Sequence, residues 1–394
     1  MLRLFIFCIA LSHASNNFAE EYSDDVFQKI KDMKHASLIF GSEKHTHIAI
    51  QPDLPLVPAS TLKILTAFIA LETWGADHRF ITDFYLDKND ILWIKGYGDP
   101  FLISEEIDLI VAALKAKGLK EINGVGIDHN YFSSDLIIHG QSATNNPYDA
   151  SPSALTANFN TINIRRKNKT TYSAEAQTPL TSTMLQAGSK LPSGTHRINL
   201  RKNRSGSRYF AEILVAKLNA ENIQTTNKLL IGVSPMTLNP FYRHQNSHKL
   251  SEVVSAMLKY SNNFIANQLF LLLGVEAKGA PATIEKSQAA VASQIDQIFH
   301  WNNYTVKEGA GLSRANRLST RQLIELLKKF SPYRNLLSQQ NDKIFVKSGT
   351  LKEVSTYAGY VFRSQTWVPF ALMINHPVKY NFRKKVAKKL LELK

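Results

Sequence analysis

Residues 57–74, VPASTLKILTAFIALETW, form the stretch that most restricts how this chain can fold. Apolar side chains dominate it, yet Lys63 lies inside the run, three residues after Ser60. On a helix, a spacing of three places both side chains on one face, one turn apart. A fold that buries this run therefore also brings a lysine amine next to a serine hydroxyl.

The apolar neighbours of Lys63 would desolvate its amine and lower its pKa toward neutrality. A neutral amine beside Ser60 is a general base beside a nucleophile, and a helix N-terminus would direct backbone N–H groups toward the reacting oxygen. The alternative is a capping serine followed by a lysine whose amine reaches solvent. Ser-x-x-Lys occurs once in this chain, as composition alone predicts. The pair by itself therefore does not distinguish the two interpretations.

The first fourteen residues, MLRLFIFCIALSHA, have the layout of a secretory signal. Arg3 precedes an apolar stretch, Leu4–Leu11, and small residues follow at Ser12–Ala14. This stretch is too short to span a bilayer; the alternative is a buried N-terminal strand or helix. Cleavage would remove Cys8, the single cysteine, as fits an oxidising compartment. We predict a cleaved signal peptide, residues 1–14, and a periplasmic location.

The formal net charge is +15, or +14 without Arg3. Such an excess is typical of nucleic-acid binding, but export argues against that function and favours an anionic partner outside the cytoplasm. The basic clusters RRKNK (165–169) and RKNRSGSR (201–208) lack the interleaved aromatic residues that stack on bases. We predict solvent-exposed loops at both clusters and no nucleic-acid partner.

The pattern of elements divides the chain into an interrupted domain and an insert. Helical patterns cover 22–34, 104–118, 207–222, 247–275, 283–300 and 319–330, and strand patterns cover 36–50, a hairpin after 81, much of 121–200, and the successive segments KIFVKSG, TYAGYVF and WVPFALMIN. We predict one α/β domain from residues 20–80 and 240–394, interrupted by an insert at 81–239.

A basic amphipathic helix, FRKKVAKKLLELK, closes the sequence. Val386, Leu390 and Leu393 recur at helical spacing between lysines, so this helix could make weak peripheral contact with an anionic membrane surface. Packing across the terminal sheet is the more common use of such a helix, and we predict it here.

A second polar motif, Ser261-Asn262-Asn263, lies where a loop or helix junction meets an apolar helix. The Ser261 hydroxyl could relay a proton between a base and a leaving nitrogen. The Asn263 amide could hydrogen-bond a substrate backbone through both its donor and its acceptor. The alternative is a polar helix cap.

A third motif, Lys347-Ser348-Gly349-Thr350, lies at the end of a predicted strand. Lys347 supplies a positive charge, Ser348 and Thr350 supply hydroxyls, and Gly349 lets a ligand approach the backbone. These features are typical of a strand edge that binds a carboxylate. The alternative is an edge lysine that blocks aggregation, followed by a turn glycine.

Ser-x-x-Lys, Ser-x-Asn and Lys-Ser-Gly-Thr occur here in the order found in penicillin-binding proteins and class A β-lactamases. The chain resembles the D-alanyl-D-alanine carboxypeptidase/endopeptidase family of the penicillin-binding protein 4 type. Four longer segments extend the resemblance: 92–102, 148–164, 308–319 and 347–362. It implies an α/β (α+β) fold, with a serine β-lactamase/transpeptidase-like catalytic domain, an antiparallel sheet flanked by helices, and a β-rich insert domain.

The resemblance also implies roles for individual residues. Ser60 would be the acylated nucleophile and Lys63 its base, with Ser261 as the third catalytic residue. The implied substrate-binding residues are Asn263, Lys347, Ser348, Gly349 and Thr350. The backbone N–H groups of Ser60 and Thr350 would form the oxyanion hole. The implied activity is serine-type D-Ala-D-Ala carboxypeptidase or DD-endopeptidase action on peptidoglycan stem peptides, with acylation by β-lactams and with no metal or cofactor.

Three features depart from the family pattern. Ser348 replaces the usual threonine but keeps its hydroxyl. The usual Asp-Gly-Ser-Gly-Leu-Ser reads EGAGLS at 308–313, so Ala310 replaces a serine. The region between about 165 and 240 is also shorter than usual, which would change access of the substrate.

Two other functions stay open at this point. A β-lactamase uses the same three motifs but needs an additional base for fast deacylation, and no recognisable loop carries one. A non-catalytic cell-wall-binding relative would retain the fold without the reaction. The residues do not distinguish removal of a terminal D-alanine from cleavage of a cross-link.

Overall fold

The structure, a computed structural model, describes residues 26–41, 46–200, 203–226, 228–235 and 239–393. The predicted signal peptide, 1–14, lies outside these residues. The helices are α1 (Val26–Asp32), α2 (Lys63–Trp74), α3 (Ser104–Ala116), α4 (Ser182–Gly188), α5 (Asn203–Ala220), α6 (Leu250–Tyr260), α7 (Asn263–Lys278), α8 (Ile284–Ile298), α9 (Thr320–Phe330) and α10 (Phe382–Glu392). The strands are β1 (Ala36–Gly41), β2 (Thr46–Ile50), β3 (Ile81–Leu86), β4 (Ile91–Gly96), β5 (Glu121–Ile122), β6 (Gly124–Asp128), β7 (Thr161–Lys167), β8 (Thr170–Ser173), β9 (Gly194–Asn199), β10 (Gln224–Thr225), β11 (Leu229–Ile231), β12 (Tyr242–Gln245), β13 (Ser338–Asn341), β14 (Ile344–Leu351), β15 (Val354–Arg363) and β16 (Thr366–Ile374).

The largest sheet combines early and late parts of the chain. Its order is β13-β14-β15-β16-β1-β2, and every neighbouring pair is antiparallel. β14, β15 and β16 are the three successive strands predicted from the sequence. β1 lies against β16, with Ala36 opposite Ile374 and Phe40 opposite Phe370. An antiparallel sheet flanked by helices confirms the predicted fold class.

Helices cover both faces of this sheet. On one face, Val26 and Ile30 of α1 and Val386 and Leu390 of α10 pack with strand side chains in one apolar cluster. This contact confirms the predicted packing of the closing helix on the sheet. Because Val386 and Leu390 are fully buried, the alternative of membrane contact lacks the apolar surface it requires.

The opposite face carries the helices that surround α2. Apolar residues of α2, α6, α7 and α9 form the largest buried cluster, and every α2 residue from Lys63 to Leu71 is buried. A helix that is apolar on all sides is expected to be buried in this way. The part of the run from Lys63 to Leu71 therefore lies at the centre of the domain.

The middle of the chain builds a second apolar core around further sheets. β11-β6-β4-β3-β12 form a mixed five-stranded sheet, β8-β7-β9 form a three-stranded sheet, and β10 pairs with β5. α3, α4 and α5 supply residues to this second core. β12, at 242–245, belongs to this sheet although it follows residue 239. The division of the chain into 20–80, 81–239 and 240–394 stays a prediction.

The helical pattern predicted over 247–275 is interrupted at Ser261-Asn262-Asn263, where a loop or helix junction was predicted. The structure contains two helices, α6 and α7, separated by Ser261 and Asn262. Ser261 has left-handed backbone angles and ends α6, and the Asn262 side chain caps α7 by accepting a hydrogen bond from the Ile265 N–H. Short polar side chains favour such ends, and the break leaves Ser261 half-buried between the helices.

Candidate active site

Ser60 lies in a 3-10 helix, Ala59–Leu62, and Lys63 begins α2 directly after it. Residues three apart eclipse one another in 3-10 geometry, and Lys63 Nζ lies 3.1 Å from Ser60 Oγ. Ser60 does not cap a helix, because Pro58 occupies the cap position and no side chain caps either helix start. Ser60 therefore lies at a helix start with its hydroxyl facing the Lys63 amine, as predicted, and the alternative of a capping serine is wrong.

Two glycines permit close packing against the backbone at Ser60. Ala59 has a left-handed φ of 47°, an uncommon and strained value for a residue with a Cβ. A Cβ at Gly349 would lie 2.8 Å from Ser60 N, and one at Gly311 would lie 1.9 Å from Ala59 O. The predicted role of Gly349 was close approach of a ligand; the structure shows close approach of β14 to the Ser60 backbone.

The Lys63 amine is completely buried and has three polar neighbours. Its Nζ lies 3.1 Å from Ser60 Oγ, 2.7 Å from Asn263 Oδ1 and 2.6 Å from the Ala310 carbonyl oxygen. Burial lowers the pKa of Lys63 well below that of an ordinary lysine, and the nearby charge of Lys347 lowers it further. The pKa shift has the direction predicted from the sequence, and a solvent-exposed amine is excluded.

The Asn263 amide is bonded within the protein at both ends. Its Oδ1 accepts from Lys63, and its Nδ2 donates to the Tyr148 carbonyl oxygen at 3.1 Å. Because the amide has a second N–H and a second lone pair, its predicted contact with a substrate backbone stays a prediction. In this structure the amide fixes the position of the Lys63 amine.

A second buried amine, that of Lys347, holds the second hydroxyl. Lys347 is 2% exposed, and its Nζ donates to Ser261 Oγ and to the Ser348 carbonyl oxygen, each at 2.9 Å. Burial, with a smaller contribution from the charge of Arg383, lowers the pKa of Lys347 to about 8. Lys347 therefore remains a cation near neutral pH.

The other residues of the third motif differ in burial along β14. The Ser348 side chain is half-buried, Gly349 is buried against the 3-10 helix, and Thr350 is exposed. The Thr350 hydroxyl accepts a hydrogen bond from Arg383 Nη1 at 2.8 Å. Of these residues, Ser348 thus contacts the Lys347 amine through its backbone carbonyl, and the Thr350 hydroxyl contacts Arg383.

The loop from Glu308 to Asn316 supplies groups that the sequence did not reveal. Glu308 is fully buried and accepts hydrogen bonds from the Ala310 N–H, the Ser313 N–H and the Asn316 side chain at 2.8, 3.2 and 2.8 Å. This folding of the loop directs the Ala310 carbonyl toward Lys63. Because a backbone carbonyl makes the contact, alanine at position 310 preserves it.

The structure thus brings the predicted residues into one place. The Lys63 amine contacts Ser60 and Asn263. The Lys347 amine contacts Ser261 and Ser348. Gly349 connects the two groups through its contact with the Ser60 backbone. Sequence reasoning missed Tyr148, Glu308, Ala310 and Arg383 as contributors. Of these, only the acidic Glu308 beside two glycines offered a local signal.

Within the described ranges, no group of histidine, cysteine, aspartate and glutamate side chains has an arrangement that could hold a metal ion. No helix in the same part of the chain has both the length and the apolar content needed to cross a membrane.

The fold is similar to that of solved penicillin-binding proteins. A crystal structure of penicillin binding protein 4 (dacB) from Haemophilus influenzae matches with a TM-score of 0.74 at 19% identity, covering 93% of this chain and 99% of that one. A penicillin G-acylated predatory endopeptidase from Bdellovibrio bacteriovorus matches with a TM-score of 0.51 at 13% identity, covering 90% of each chain. These likenesses establish the fold.

Residues 41–187 and 183–341 match the D-Ala-D-Ala carboxypeptidase 3 (S13) family, and the chain belongs to this family. The D-alanyl-D-alanine carboxypeptidase of Actinomadura sp. (strain R39) is 23% identical over 69% of this chain, which spans 60% of that protein's length. The D-alanyl-D-alanine carboxypeptidase DacB of Haemophilus influenzae is 24% identical over 82% of this chain and 76% of its own length.

Proposed function

We propose that this protein is a serine-type D-Ala-D-Ala carboxypeptidase, a DD-endopeptidase or both, acting on peptidoglycan stem peptides through an acyl-enzyme on Ser60. The observation that carries the proposal is the completely buried Lys63 amine, 3.1 Å from the Ser60 hydroxyl. Family membership and the names of the relatives support the substrate class. An exported, periplasmic protein is part of the same proposal.

The surroundings of Lys63 determine how it would act. The Asn263 Oδ1 and the Ala310 carbonyl oxygen can only accept hydrogen bonds. A neutral amine has two hydrogens and one lone pair, so donation to these two acceptors at 2.7 and 2.6 Å leaves the lone pair for Ser60. The amine then removes the hydroxyl proton as Ser60 Oγ attacks the substrate carbonyl carbon.

Acylation continues with loss of the C-terminal amine. The backbone N–H groups of Ser60 and Thr350 stabilise the oxyanion of the tetrahedral intermediate. The bond between carbonyl carbon and nitrogen breaks, and the departing amine receives a proton through the Ser261 hydroxyl, which Lys347 holds in place at 2.9 Å. Water then hydrolyses the ester on Ser60 and releases the shortened peptide.

The third motif would recognise the terminal carboxylate of the substrate. Ser348 and Thr350 offer hydroxyl donors, and the positive charge of Lys347 attracts the anion. Since Lys347 Nζ is already bonded to Ser261 and Ser348, its effect on the carboxylate is electrostatic. A β-lactam carries a comparable carboxylate and a reactive carbonyl, so it would acylate Ser60 and deacylate slowly.

Intact-mass measurement after treatment with penicillin tests the acyl-enzyme. We expect the unmodified protein to gain the mass of one penicillin, and the Ser60→Ala variant to gain none. A lack of adduct on the unmodified protein, without penicillin turnover, favours a non-catalytic cell-wall-binding relative. Turnover faster than adduct accumulation favours a β-lactamase.

Muropeptide profiling of purified sacculi tests the substrate. Loss of cross-linked dimers indicates endopeptidase action, and conversion of pentapeptides to tetrapeptides indicates carboxypeptidase action. The Ser60→Ala protein is the matched control in both assays. If folded, penicillin-reactive protein changes neither pool, the proposed substrate is wrong.

A further inference from the structure

Arg383, in the first turn of α10, carries a buried positive charge with an unusual set of neighbours. The residue is 4% exposed. A buried charge is costly unless other groups compensate it, yet no carboxylate in the described part of the chain lies within ion-pair distance of it. Its guanidinium lies over the Tyr357 and Tyr380 rings, 5.7 and 5.0 Å from their centroids, and its Nε has no hydrogen-bond partner among the described residues.

Arg383 makes its polar contacts with Gly349 and Thr350, the two residues that share one peptide bond. Its Nη1 donates to the Gly349 carbonyl oxygen at 2.7 Å and to the Thr350 hydroxyl at 2.8 Å. The Gly349 carbonyl and the Thr350 N–H belong to the same planar trans peptide, so they point in opposite directions. A cation on the carbonyl oxygen draws electron density from the nitrogen and makes the N–H a stronger donor.

The strand pattern indicates where this N–H points. In an antiparallel pair, alternate residues direct both backbone groups away from the partner strand. The Ser348 carbonyl points away from β15, toward the Lys347 amine that also holds Ser261. Thr350, two residues along β14, has the same orientation. Its N–H therefore points toward the site, on the edge where Gly349 contacts the Ser60 backbone.

We infer that Arg383 is a positioning residue of the acylation step, which orients and polarises the Thr350 N–H through the Gly349–Thr350 peptide. This inference rests on the proposed function, because it requires that N–H to hold an oxyanion. The lowered pKa of Lys347, to which the charge of Arg383 contributes, agrees with the guanidinium acting as a cation close to the site. Arg383 touches no reacting atom and acts only through β14.

The test compares Arg383→Gln and Arg383→Lys with Lys384→Gln, which removes an exposed charge from the same turn of α10. We expect Arg383→Gln to slow acylation by penicillin about tenfold, less than the loss of a whole oxyanion donor. Arg383→Lys should recover part of the rate, and Lys384→Gln should acylate at the unmodified rate. Thermal unfolding of each variant shows whether it is folded.

An infrared measurement separates polarisation from a purely structural role. Penicillin labelled with ¹³C at the β-lactam carbonyl gives an acyl-enzyme whose ester C=O stretch falls as its hydrogen bonds strengthen. We expect this band at higher wavenumber in Arg383→Gln, at an intermediate position in Arg383→Lys, and unshifted in Lys384→Gln.

The outcomes distinguish this inference from the proposed function. If the unmodified protein forms no penicillin adduct, the proposed function itself fails. If the unmodified protein forms the adduct, and both Arg383 variants match its acylation rate and its C=O band position, Arg383 has no part in acylation. A slower rate with an unshifted band also overturns the inference, because it indicates a structural role only.

Discussion

Lys63 and Lys347 are two buried lysines in one site, and their partners separate their functions. Lys63 faces two oxygens that can only accept and one serine hydroxyl, whereas Lys347 bonds the Ser261 hydroxyl and the Ser348 carbonyl. Burial lowers the pKa of both, to about 8 for Lys347 and well below the ordinary value for Lys63. Burial alone therefore does not make a base; the amine also needs acceptors that orient its lone pair.

The largest effect is expected from Lys63→Arg. Arginine stays protonated and cannot accept the Ser60 proton, so acylation by penicillin should slow by roughly 10³-fold, as for loss of a general base. The measurement is the rate of adduct formation by mass spectrometry. A rate within tenfold of the unmodified protein would mean that Lys63 is not the base.

Lys347→Met should reduce kcat/KM roughly 10²-fold, because the variant loses the charge near the substrate carboxylate and the donor that holds Ser261. The loss in kcat/KM should be smaller for an ester substrate whose leaving group lacks a carboxylate. Steady-state kinetics with the two substrates provides the comparison. Equal losses on both would contradict electrostatic recognition of the carboxylate.

The same variant tests the stability cost of the buried charge. The pKa of Lys347 is about 8 in the folded protein and 10.5 ordinarily, so the unfolded chain binds more protons between these values and stability rises with pH there. Below pH 8 the cost is complete, and Lys347→Met should be more stable by up to about 3 kcal/mol. Urea unfolding should show this difference narrowing from pH 8 to 10.5; a pH-independent difference would contradict it.

Asn263 offers a graded change at Lys63. Asn263→Ala removes one acceptor from the amine and should slow acylation about tenfold. Asn263→Asp places a carboxylate there, which favours the charged amine and should move the acidic limb of the pH–rate profile to higher pH. The profile of adduct formation checks both variants, and an unshifted limb in Asn263→Asp would contradict titration of Lys63.

The smallest effect is expected from Ser348→Thr, which restores the residue usual in the resembled family. The half-buried hydroxyl is retained, so kcat/KM should change by less than about twofold, within the range of an ordinary surface substitution. A larger change in either direction would show that the added methyl group alters carboxylate binding.

The sequence predicted those parts of the site that depend on local spacing. The contact between Ser60 and Lys63 follows from a separation of three residues, and Lys347 lies on a strand that its own pattern predicts. The antiparallel sheet follows from three successive strands near the end of the sequence.

The remaining contributors depend on tertiary packing. The Ala310 contact uses a backbone carbonyl, which any residue carries, and its direction is set by Glu308. At Ser261 the apolar pattern continues on both sides, so periodicity alone favours one helix, and only the polar triplet 261–263 predicted the junction. Arg383 lies among exposed lysines in a basic helix, and only the packing of α10 on the sheet distinguishes it from them.

The pairing of β1 with β16 has a consequence for the newly made chain. β1, at 36–41, can pair with β16 only after residues 366–374 have been synthesised. Gly349 and Arg383 also lie late in the sequence. Ser60 and Lys63 are synthesised early but gain their surroundings last. During biosynthesis the site therefore cannot assemble until residues 344–383 have been translated.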